Sequence, residues 1–219
     1  MDTGGDVGAL ATFWAAAVGA QAVRVDPRFP EDLDVVGEHE YQGIAIGPVP
    51  EAKTVKHRVH LDVYAASVDD LVSLGAAVEL PAEESGFGWT VMRDPEGGEF
   101  CAFLRDPVPS YRLHGIVVDS ADPAAQARWW GEALGATVND NAAHGGGWST
   151  LEGATPDPVL TMDFVPVPEP KTVKNRIHWD VYGTVGEFEA RGATRLWETR
   201  GWVTLADPEG NEFCVFPEP

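Results

Sequence analysis

Cysteine, lysine and positive charge are all scarce in this sequence of 219 residues. It has two cysteines, Cys101 and Cys214, and 15 lysines and arginines against 35 aspartates and glutamates. Two cysteines are too few for a disulfide-rich secreted scaffold, so we expect both thiols to be reduced and unpaired in a cytoplasmic protein. The formal net charge of −20 argues against binding to nucleic acid or to an anionic membrane surface, because phosphates would be repelled.

Long hydrophobic runs and common catalytic signatures are missing as well. The uncharged stretch from Val7 to Val23 is shorter than the roughly 20 apolar residues that cross a bilayer. It follows Asp2 and Asp6, where a signal peptide would carry basic residues. No Walker, dinucleotide-binding or Gly-x-Ser-x-Gly motif is present. These absences leave an ordinary soluble domain protein without an obvious reaction.

The sequence does contain a long internal repeat. Residues 48–64 match residues 166–182 at 13 of 17 positions, and residues 94–103 match residues 207–216 at 8 of 10 positions. A repeat of this length indicates two copies of one structural unit. We therefore predict two domains, residues 1–106 and 111–219, joined by the short Pro-containing segment between them.

Each half is itself double. A Gly-Ala pair ends four helix-like stretches, and the glycines are spaced by 56, 60 and 57 residues: Gly19, Gly75, Gly135 and Gly192. Glycine just past a helix is the usual left-handed stop. Val- and Ile-rich runs that are typical of strands flank each helix. The predicted unit is a strand, a helix and two or three further strands, present four times.

Four such modules, with the sequences LHGIVVD, KNRIHWD and DPEGNEFC, resemble the vicinal oxygen chelate superfamily, in particular its glyoxalase-like and bleomycin-resistance-like domains. The resemblance covers nearly all of residues 5–217. It implies an α+β fold of two tandem domains, each a pair of βαβββ modules whose curved, mainly antiparallel sheet forms a cup. The first strand of the first domain is expected to be missing, because the counterpart of His114 would fall before residue 1.

One repeated strand concentrates ionisable side chains. Alternate positions of a strand share a face, so residues 174, 176, 178, 180 and 182 lie together, as do residues 56, 58, 60, 62 and 64. This face either lies in water or lines the cup, and the resemblance favours the cup. The expected ligand-binding residues of the C-terminal cup are Lys174, Arg176, His178, Asp180, Tyr182, Trp148 and Trp202. The four lysines, all in the two KTVK segments, either bind a ligand anion or pair with carboxylates of the neighbouring half.

The resemblance also implies a metal position. In metal-dependent members the ligands lie on the first strand of each module of a pair and on the last strand of the pair, and these places hold His114, His178 and Cys214. The candidate ion is divalent (Zn²⁺, Mn²⁺, Fe²⁺, Ni²⁺ or Mg²⁺), and a thiolate suits Zn²⁺ best. Cys214 is otherwise read as a small buried residue. Glu212, on the same face, is the candidate to move a proton.

Two functions are consistent with these residues. The favoured one is a metal-free protein that binds a small organic molecule in the cup of the C-terminal domain, as bleomycin-resistance proteins do; the acidic charge, the tryptophans and the cysteine in the third ligand place favour it. The alternative is a divalent-metal-dependent lyase or isomerase of the glyoxalase type. A vestigial site with a role in interaction only is a third interpretation. The expected partner is a small molecule, with no nucleic acid or membrane, in a monomer with internally paired domains or a homodimer.

Overall fold

The computed structural model describes residues 1–39, 41–141 and 147–218. The fold is α+β with more strand than helix, built from four successive modules, as the sequence predicts. The chain divides into two compact units: the first is Met1–Ile116 with Thr155–Leu160, and the second is Val117–Ala154 with Thr161–Pro219. This division falls inside a strand, a few residues after the Pro-containing segment. Among the described residues, no helix has the length and apolarity that a bilayer crossing requires.

The first module forms a small sheet in the strand order β1-β4-β3-β2. Its elements are β1 (Asp2–Thr3), α1 (Val7–Val18), β2 (Gln21–Val23), β3 (Leu33–Val36) and β4 (Gly43–Pro48). The expectation that its first strand is missing was wrong. Two residues suffice for a strand here, because Gly47 N–H donates to Met1 O at 3.0 Å and Val49 N–H donates to Thr3 O at 2.8 Å, which pairs β1 with β4 in parallel.

The second module supplies most of the site described below. Its elements are β5 (Val59–Ala65), α2 (Val68–Ser73), β6 (Ala77–Leu80), α3 (Ala82–Ser85), β7 (Thr90–Arg93) and β8 (Glu99–Leu104). The strand order is β5-β8-β7-β6, with β5 parallel to β8 and the other pairs antiparallel. On its other side β5 is next to β9 (Leu113–Ser120), whose residues 113–116 belong to the first unit. Strand β5 is therefore an interior strand.

The third and fourth modules make up the second unit. The third continues from β9 with α4 (Pro123–Leu134), β10 (Thr137–Asp140), β11 (Ser149–Glu152) and β12 (Thr161–Pro166). The fourth has β13 (Trp179–Tyr182), α5 (Val185–Ala190), β14 (Thr194–Glu198), β15 (Val203–Ala206) and β16 (Glu212–Phe216). The fourth module's strand order is β13-β16-β15-β14, so β13 is the edge strand. It is shorter than the predicted strand from Val173 to Val181.

The helices end and pack as the repeat predicts. All four glycines of the Gly-Ala pairs have positive φ, between 67° and 112°, the conformation that stops a helix at little cost only for glycine. Trp14 of α1 packs edge-on against Phe100 of β8 in the first unit. In the second unit Trp130 of α4 packs against Phe213 of β16 and Trp179 of β13 in the same way. The helix face of each sheet is thus the apolar one.

Strand parity is also as predicted. Ile177, Trp179 and Val181 are buried on the helix side, whereas the intervening residues are half-buried or exposed. Both cysteine thiols are buried and neither forms a disulfide, as expected. The polar face of each sheet is therefore the one on which the candidate site lies.

Candidate functional site

Strand register places the side chains of the second module in rows across its polar face. Asp62 of β5 is opposite Cys101 of β8, and Cys101 is opposite Val91 of β7. One pleat further along, Tyr64 is opposite Phe103. Because side chains two residues apart share a face, these residues form a polar row and an aromatic row about 6.6 Å apart.

The polar row carries a compact cluster of donor atoms. One ligand atom from each of His60, Asp62 and Cys101 lies within 4.8 Å of the others. His60 Nε2 is 3.7 Å from Asp62 Oδ1. Burial, followed by the charges of Lys56 and His57, lowers the pKa of His60 from 6.5 to about 4. The imidazole is therefore neutral at pH 7 and keeps a lone pair for a hydrogen-bond donor or a cation.

The aromatic row is extended at both ends within the first unit. Trp89 stacks on Phe103 at 5.2 Å between ring centroids and on Phe87 at 4.8 Å. At the other end, His114 of β9 stacks on Tyr64 at 3.9 Å and meets Phe103 edge-on at 4.8 Å. Five rings therefore form one continuous surface, which we call the ring row: Phe87, Trp89, Phe103, His114 and Tyr64.

Two further groups shape the ring row. The Arg105 guanidinium lies over the Tyr64 ring at 4.8 Å from its centroid, a cation–π geometry that puts a positive charge at one end. Burial lowers the pKa of His114 to about 4, although its backbone hydrogen bond opposes this. His114 therefore contributes a neutral ring at pH 7. Gly115, beside it, packs so closely on β5 that an added Cβ would lie 3.1 Å from Asp62 Cβ.

The fourth module repeats the polar row on β13, β16 and β15. Asp180 is opposite Cys214, which is opposite Thr204. His178, Asp180 and Cys214 place one ligand atom each within 4.8 Å of one another. The Thr204 hydroxyl is 3.4 Å from Cys214 Sγ, a hydrogen bond that Val91 cannot make to Cys101 in the first copy.

Burial shifts the pKa values of two ionisable groups of this second cluster upward. Burial raises the pKa of the Cys214 thiol to about 12, although the hydrogen bond to Thr204 lowers it. Removal of water by the surrounding protein atoms raises the pKa of Asp180, and its hydrogen bond from Cys214 opposes the shift. Asp180 nevertheless keeps an exposed side, since β13 is an edge strand.

The aromatic row of the fourth module is shorter. Phe216 stacks on Trp202 at 5.2 Å and meets Tyr182 edge-on at 6.4 Å. Tyr182 is 65% exposed. The repeat offset puts Arg200 and Glu218 where the first copy has Phe87 and Arg105. This copy therefore presents a smaller and more open aromatic surface.

The repeated lysines pair with strand carboxylates. Lys53 Nζ donates to Glu99 at 3.0 Å, and Lys171 Nζ donates to Glu212 at 2.8 Å. The other oxygen of each carboxylate accepts a backbone N–H, from His57 and from Asn175. Each of these two lysines thus pairs with a carboxylate of its own half, not of the neighbouring half as the pairing alternative expected. These contacts tie the KTVK segments to β8 and β16, and the proton-transfer role of Glu212 stays a prediction.

The structure brings together only part of the expected residue set. His178, Asp180 and Cys214 are close, and Tyr182 shares the strand face of Asp180, whereas Arg176 lies in a bend before β13 and not on a strand. Lys174 Nζ donates to Asn175 O at 3.5 Å. Trp202 belongs to the aromatic row of the fourth module, and Trp148 lies just before β11. His114 lies in the first unit, whereas His178 and Cys214 lie in the second, so the expected three-ligand set is not a feature of either unit.

Sequence reasoning missed the aspartate as a third donor and the ring row as a binding surface. The signals were available: Asp62 and Asp180 repeat two residues after each histidine, and Trp89 and Trp202 repeat at the offset of the DPEG segments. What the sequence does not reveal is that the strand carrying His114 extends the aromatic row of the second module.

The fold resemblance implies a divalent metal. Of the candidate ions, Zn²⁺ fits these donors. Histidine nitrogen, carboxylate oxygen and cysteine sulfur together are a ligand set for Zn²⁺, whereas Mg²⁺ and Mn²⁺ prefer oxygen. Two ligand atoms of a tetrahedral zinc centre lie about 3.5 Å apart, close to the His60–Asp62 distance of 3.7 Å. Either cluster could hold such an ion with a small contraction.

Known proteins share this architecture. A family model described as glyoxalase-like domain matches residues 1–103 and again residues 115–216. A comparison with curated protein sequences gave no match. A variant of glyoxalase I from Zea mays superposes with a TM-score of 0.67 at 14% identity, over 99% of this chain and 89% of that one. A putative dioxygenase from Bacillus subtilis gives 0.66 at 14% identity, over 100% of this chain and 83% of that one.

These two structures are similar in fold only, because at such identities the side chains of a site need not correspond. The family match is broader, since its two segments together span nearly the whole chain. Both observations agree with the four modules and the internal repeat. The chain belongs to the glyoxalase-like domain family and carries two tandem copies of the domain.

Proposed function

We propose that this protein binds a small, planar organic molecule on the ring row of the first unit. The observation that carries the proposal is the continuous contact of five rings, from Phe87 to Tyr64, beside the His60–Asp62–Cys101 cluster. Small-molecule sites are mostly lined by apolar and aromatic side chains with a few converging polar groups. The ring row and the polar row provide these two parts on one sheet face.

The first unit is a better candidate than the C-terminal domain favoured by the sequence. Its aromatic surface has five rings, whereas the described rings of the matching surface in the fourth module are three. Each ring offers an apolar face, and ring pairs add about 0.5–1.5 kcal/mol beyond their buried area. A ligand that stacks on this surface gains most where the rings are continuous.

The net charge of the protein and the charge of Arg105 restrict which ligands can bind on the ring row. The net charge of −20 repels anions at long range, while the Arg105 guanidinium at the end of the ring row repels cations locally. Neutral histidines, His60 and His114, add hydrogen-bonding groups without charge. The proposed ligand is therefore uncharged at pH 7, with a flat conjugated system and a polar substituent that reaches the cluster.

Titration with N-phenyl-1-naphthylamine, an uncharged planar fluorophore, tests the proposal. We expect saturable binding to the wild-type protein, with quenching of tryptophan fluorescence. Trp89→Ala should weaken binding at least tenfold, because Trp89 contacts two other rings of the row. The matched variant Trp202→Ala should bind as the wild type does. Equal losses in both variants, or a larger loss in Trp202→Ala, would contradict the proposal.

A second candidate is a metal-dependent lyase or isomerase of the glyoxalase type. The donor cluster favours it, since His60, Asp62 and Cys101 lie one pleat from the ring row and would hold the ion beside a stacked ligand. A bound Zn²⁺ would polarise a carbonyl oxygen of that ligand. Loading the protein with Zn²⁺ should then raise its affinity for an uncharged aromatic aldehyde such as 2-naphthaldehyde but not for N-phenyl-1-naphthylamine. Equal affinities with and without Zn²⁺ would argue for the metal-free function.

A further inference from the structure

We propose that the helix-facing side of the second module carries a ligand site of its own, a groove that binds a primary ammonium ion with a saturated apolar tail. The groove has a volume of about 330 Å³, which is at the lower end of the range for small-molecule sites. It lies on the opposite face of the sheet from the ring row, so the inference does not rest on the proposed function. The residues that line it include Val68, Val78, Glu83, Thr90, Ala102 and Leu104.

Strand register places the floor of the groove on the helix side of the sheet. Thr90 of β7 is opposite Ala102 of β8, and the two residues alternate with Val91 and Cys101 of the polar face. Both Thr90 and Ala102 are buried. Leu104, two residues further along β8, points to the same side and is 59% exposed. The floor is therefore deep at the alanine and open to solvent at the leucine.

The walls of the groove come from two helices and the edge strand. Val68 is the first residue of α2, Glu83 belongs to α3, and Val78 belongs to β6. Val78 is 42% exposed. Apolar area that is exposed in this way contributes to binding when a ligand removes it from water. The exposed parts of Val78 and Leu104 therefore favour a ligand with an apolar tail.

The connection that builds one wall is longer in the second module than in the fourth. Between β6 and β7 the chain has nine residues, 81–89, and they include α3. The matching connection between β14 and β15 is residues 199–202, four described residues that form no helix. The wall that carries Glu83 is thus a feature of the second module.

Two substitutions between the copies have the same effect. Register puts Arg195 of β14 where β6 has Val78, and Val215 of β16 where β8 has Ala102. The larger valine takes up space at the floor. Arg195 pairs with Glu189 at 2.9 Å, which places a charged side chain at the position of an apolar wall. The fourth module therefore keeps the fold of the second without its groove.

Charge selects the head group of the ligand. Among the described residues that line the groove, Glu83 is the only charged one. Its carboxylate can accept a charge-assisted hydrogen bond from an ammonium group. The net charge of −20 also attracts cations and repels anions at long range. An alkylammonium ion matches the apolar floor with its tail and Glu83 with its head.

Calorimetric titration of the full chain with butylamine, hexylamine and octylamine at pH 7 tests the inference. We expect one equivalent to bind, with each added CH₂ strengthening binding about two- to fourfold. The eight-carbon controls 1-octanol and octanoate have the same tail and should bind more weakly than octylamine, octanoate most weakly. Equal affinities for the three amines, or octanoate binding as tightly as octylamine, would overturn the inference.

Matched variants locate the bound amine. Val78→Arg introduces the residue of the fourth module and should weaken octylamine binding at least tenfold. Val72→Arg makes the same change at a valine of α2 that is 44% exposed and outside the groove, and it should leave binding unchanged. Wild-type affinity in Val78→Arg, or an equal loss in both variants, would contradict the proposed site.

Glu83 is tested against its neighbour on the same helix. Glu83→Gln should weaken octylamine binding about threefold, a small effect because the carboxylate is exposed. Glu84→Gln changes the net charge equally but lies outside the groove, and it should bind octylamine as the wild type does. Equal losses in these two variants would mean that only the overall charge matters and would overturn the role of Glu83. N-phenyl-1-naphthylamine should not be displaced by octylamine, and a failure of that fluorophore to bind would count only against the proposed function.

Discussion

The two copies of the His-x-Asp-x-Tyr strand carry the same ionisable side chains but lie at different places in their sheets. Strand β5 has a neighbour on each side, whereas β13 is an edge strand. Asp62 is 7% exposed and its ring neighbour Tyr64 is covered by His114, while Tyr182 is 65% exposed. The same sequence motif therefore faces two different environments.

This difference shows that the neighbours of a repeated strand decide what it can do. The polar rows are nearly identical, and the principal change within them is Val91 in one copy and Thr204 in the other. The aromatic rows differ more, because β9 adds His114 only in the first unit. We expect the first copy to be the better organic-ligand site and the second to bind metal more tightly.

The response of folding stability to acid should be the largest difference between the two units. Burial depresses the pKa values of His60 and His114 to about 4 from 6.5, so the unfolded chain takes up these protons first as the pH falls. The stabilisation is complete above about pH 6.5 and is lost as the pH falls from 6.5 to 4, by on the order of 3 kcal/mol for each histidine. Asp180 and Asp207 in the second unit have raised pKa values and shift stability the other way, as does Asp94 in the first unit, where the two histidines oppose it.

Urea unfolding of the metal-free protein at pH 7 and pH 5 measures this loss. His114→Phe keeps a ring against Tyr64 and removes one titrating group, so its loss of stability between the two pH values should be roughly half that of the wild type. His39→Gln serves as the control and should behave as the wild type. An unchanged pH dependence in His114→Phe would mean that His114 is not the acid-sensitive group.

The two DPEG segments, residues 94–97 and 207–210, begin with Asp94 and Asp207. These two aspartates should contribute differently to the free energy of unfolding. Asp207 accepts backbone N–H bonds from Glu209 and Asn211 and side-chain bonds from Trp130 and Gln126. Asn at this position would face some of these donors with its own N–H₂ group. We expect Asp207→Asn to lower the free energy of unfolding by about 2–3 kcal/mol, since buried donors lose their acceptor.

Asp94, the matching residue of the first unit, is the control for that change. It accepts the backbone N–H groups of Glu96 and Gly98 through one oxygen, which an asparagine can still do. Asp94→Asn should therefore lower the free energy of unfolding by about 1 kcal/mol or less. Chemical denaturation of both variants gives the comparison, and a larger loss for Asp94→Asn would contradict it.

Substitution of Gly115 should affect only the first copy of the donor cluster. Its added Cβ would lie 3.1 Å from Asp62 Cβ, so Gly115→Ala forces Asp62 to shift by a few tenths of an ångström. We expect a loss of about 1–2 kcal/mol from overpacking and weaker Zn²⁺ binding at one site only. Gly186→Ala, where a Cβ would meet no atom within 4 Å, is the control and should keep both sites. Normal Zn²⁺ binding by Gly115→Ala would show that Asp62 is not a ligand.

The smallest effect is expected from Thr204→Val and Val91→Thr, which give each cluster the neighbouring residue of the other copy. The Thr204 hydroxyl can donate to a metal-bound thiolate of Cys214, and such supporting hydrogen bonds typically change metal affinity by about 10–100-fold. We expect Thr204→Val to weaken the second site about tenfold and Val91→Thr to strengthen the first. Competition with a fluorescent zinc chelator measures both, and unchanged affinities would remove the distinction between the two metal sites.

Much of the fold could be predicted from the sequence because it is repeated. The four glycine stops, the strand parity and the reduced cysteines depend on local chemistry, and the structure confirms them. The placement of His114 depends on which strands become neighbours, which local patterns do not encode. The two-residue β1 was missed for a related reason, since a strand this short has no periodicity and is held by backbone bonds to β4.

A crystal structure of the protein with bound N-phenyl-1-naphthylamine tests the proposed ligand site most directly. We predict that the naphthalene ring lies against Trp89 and Phe103, one pleat from the cluster of His60, Asp62 and Cys101. A fluorophore bound against Trp202 and Phe216 instead, with the ring row of the first unit empty, would contradict the central claim that the interior copy is the ligand site.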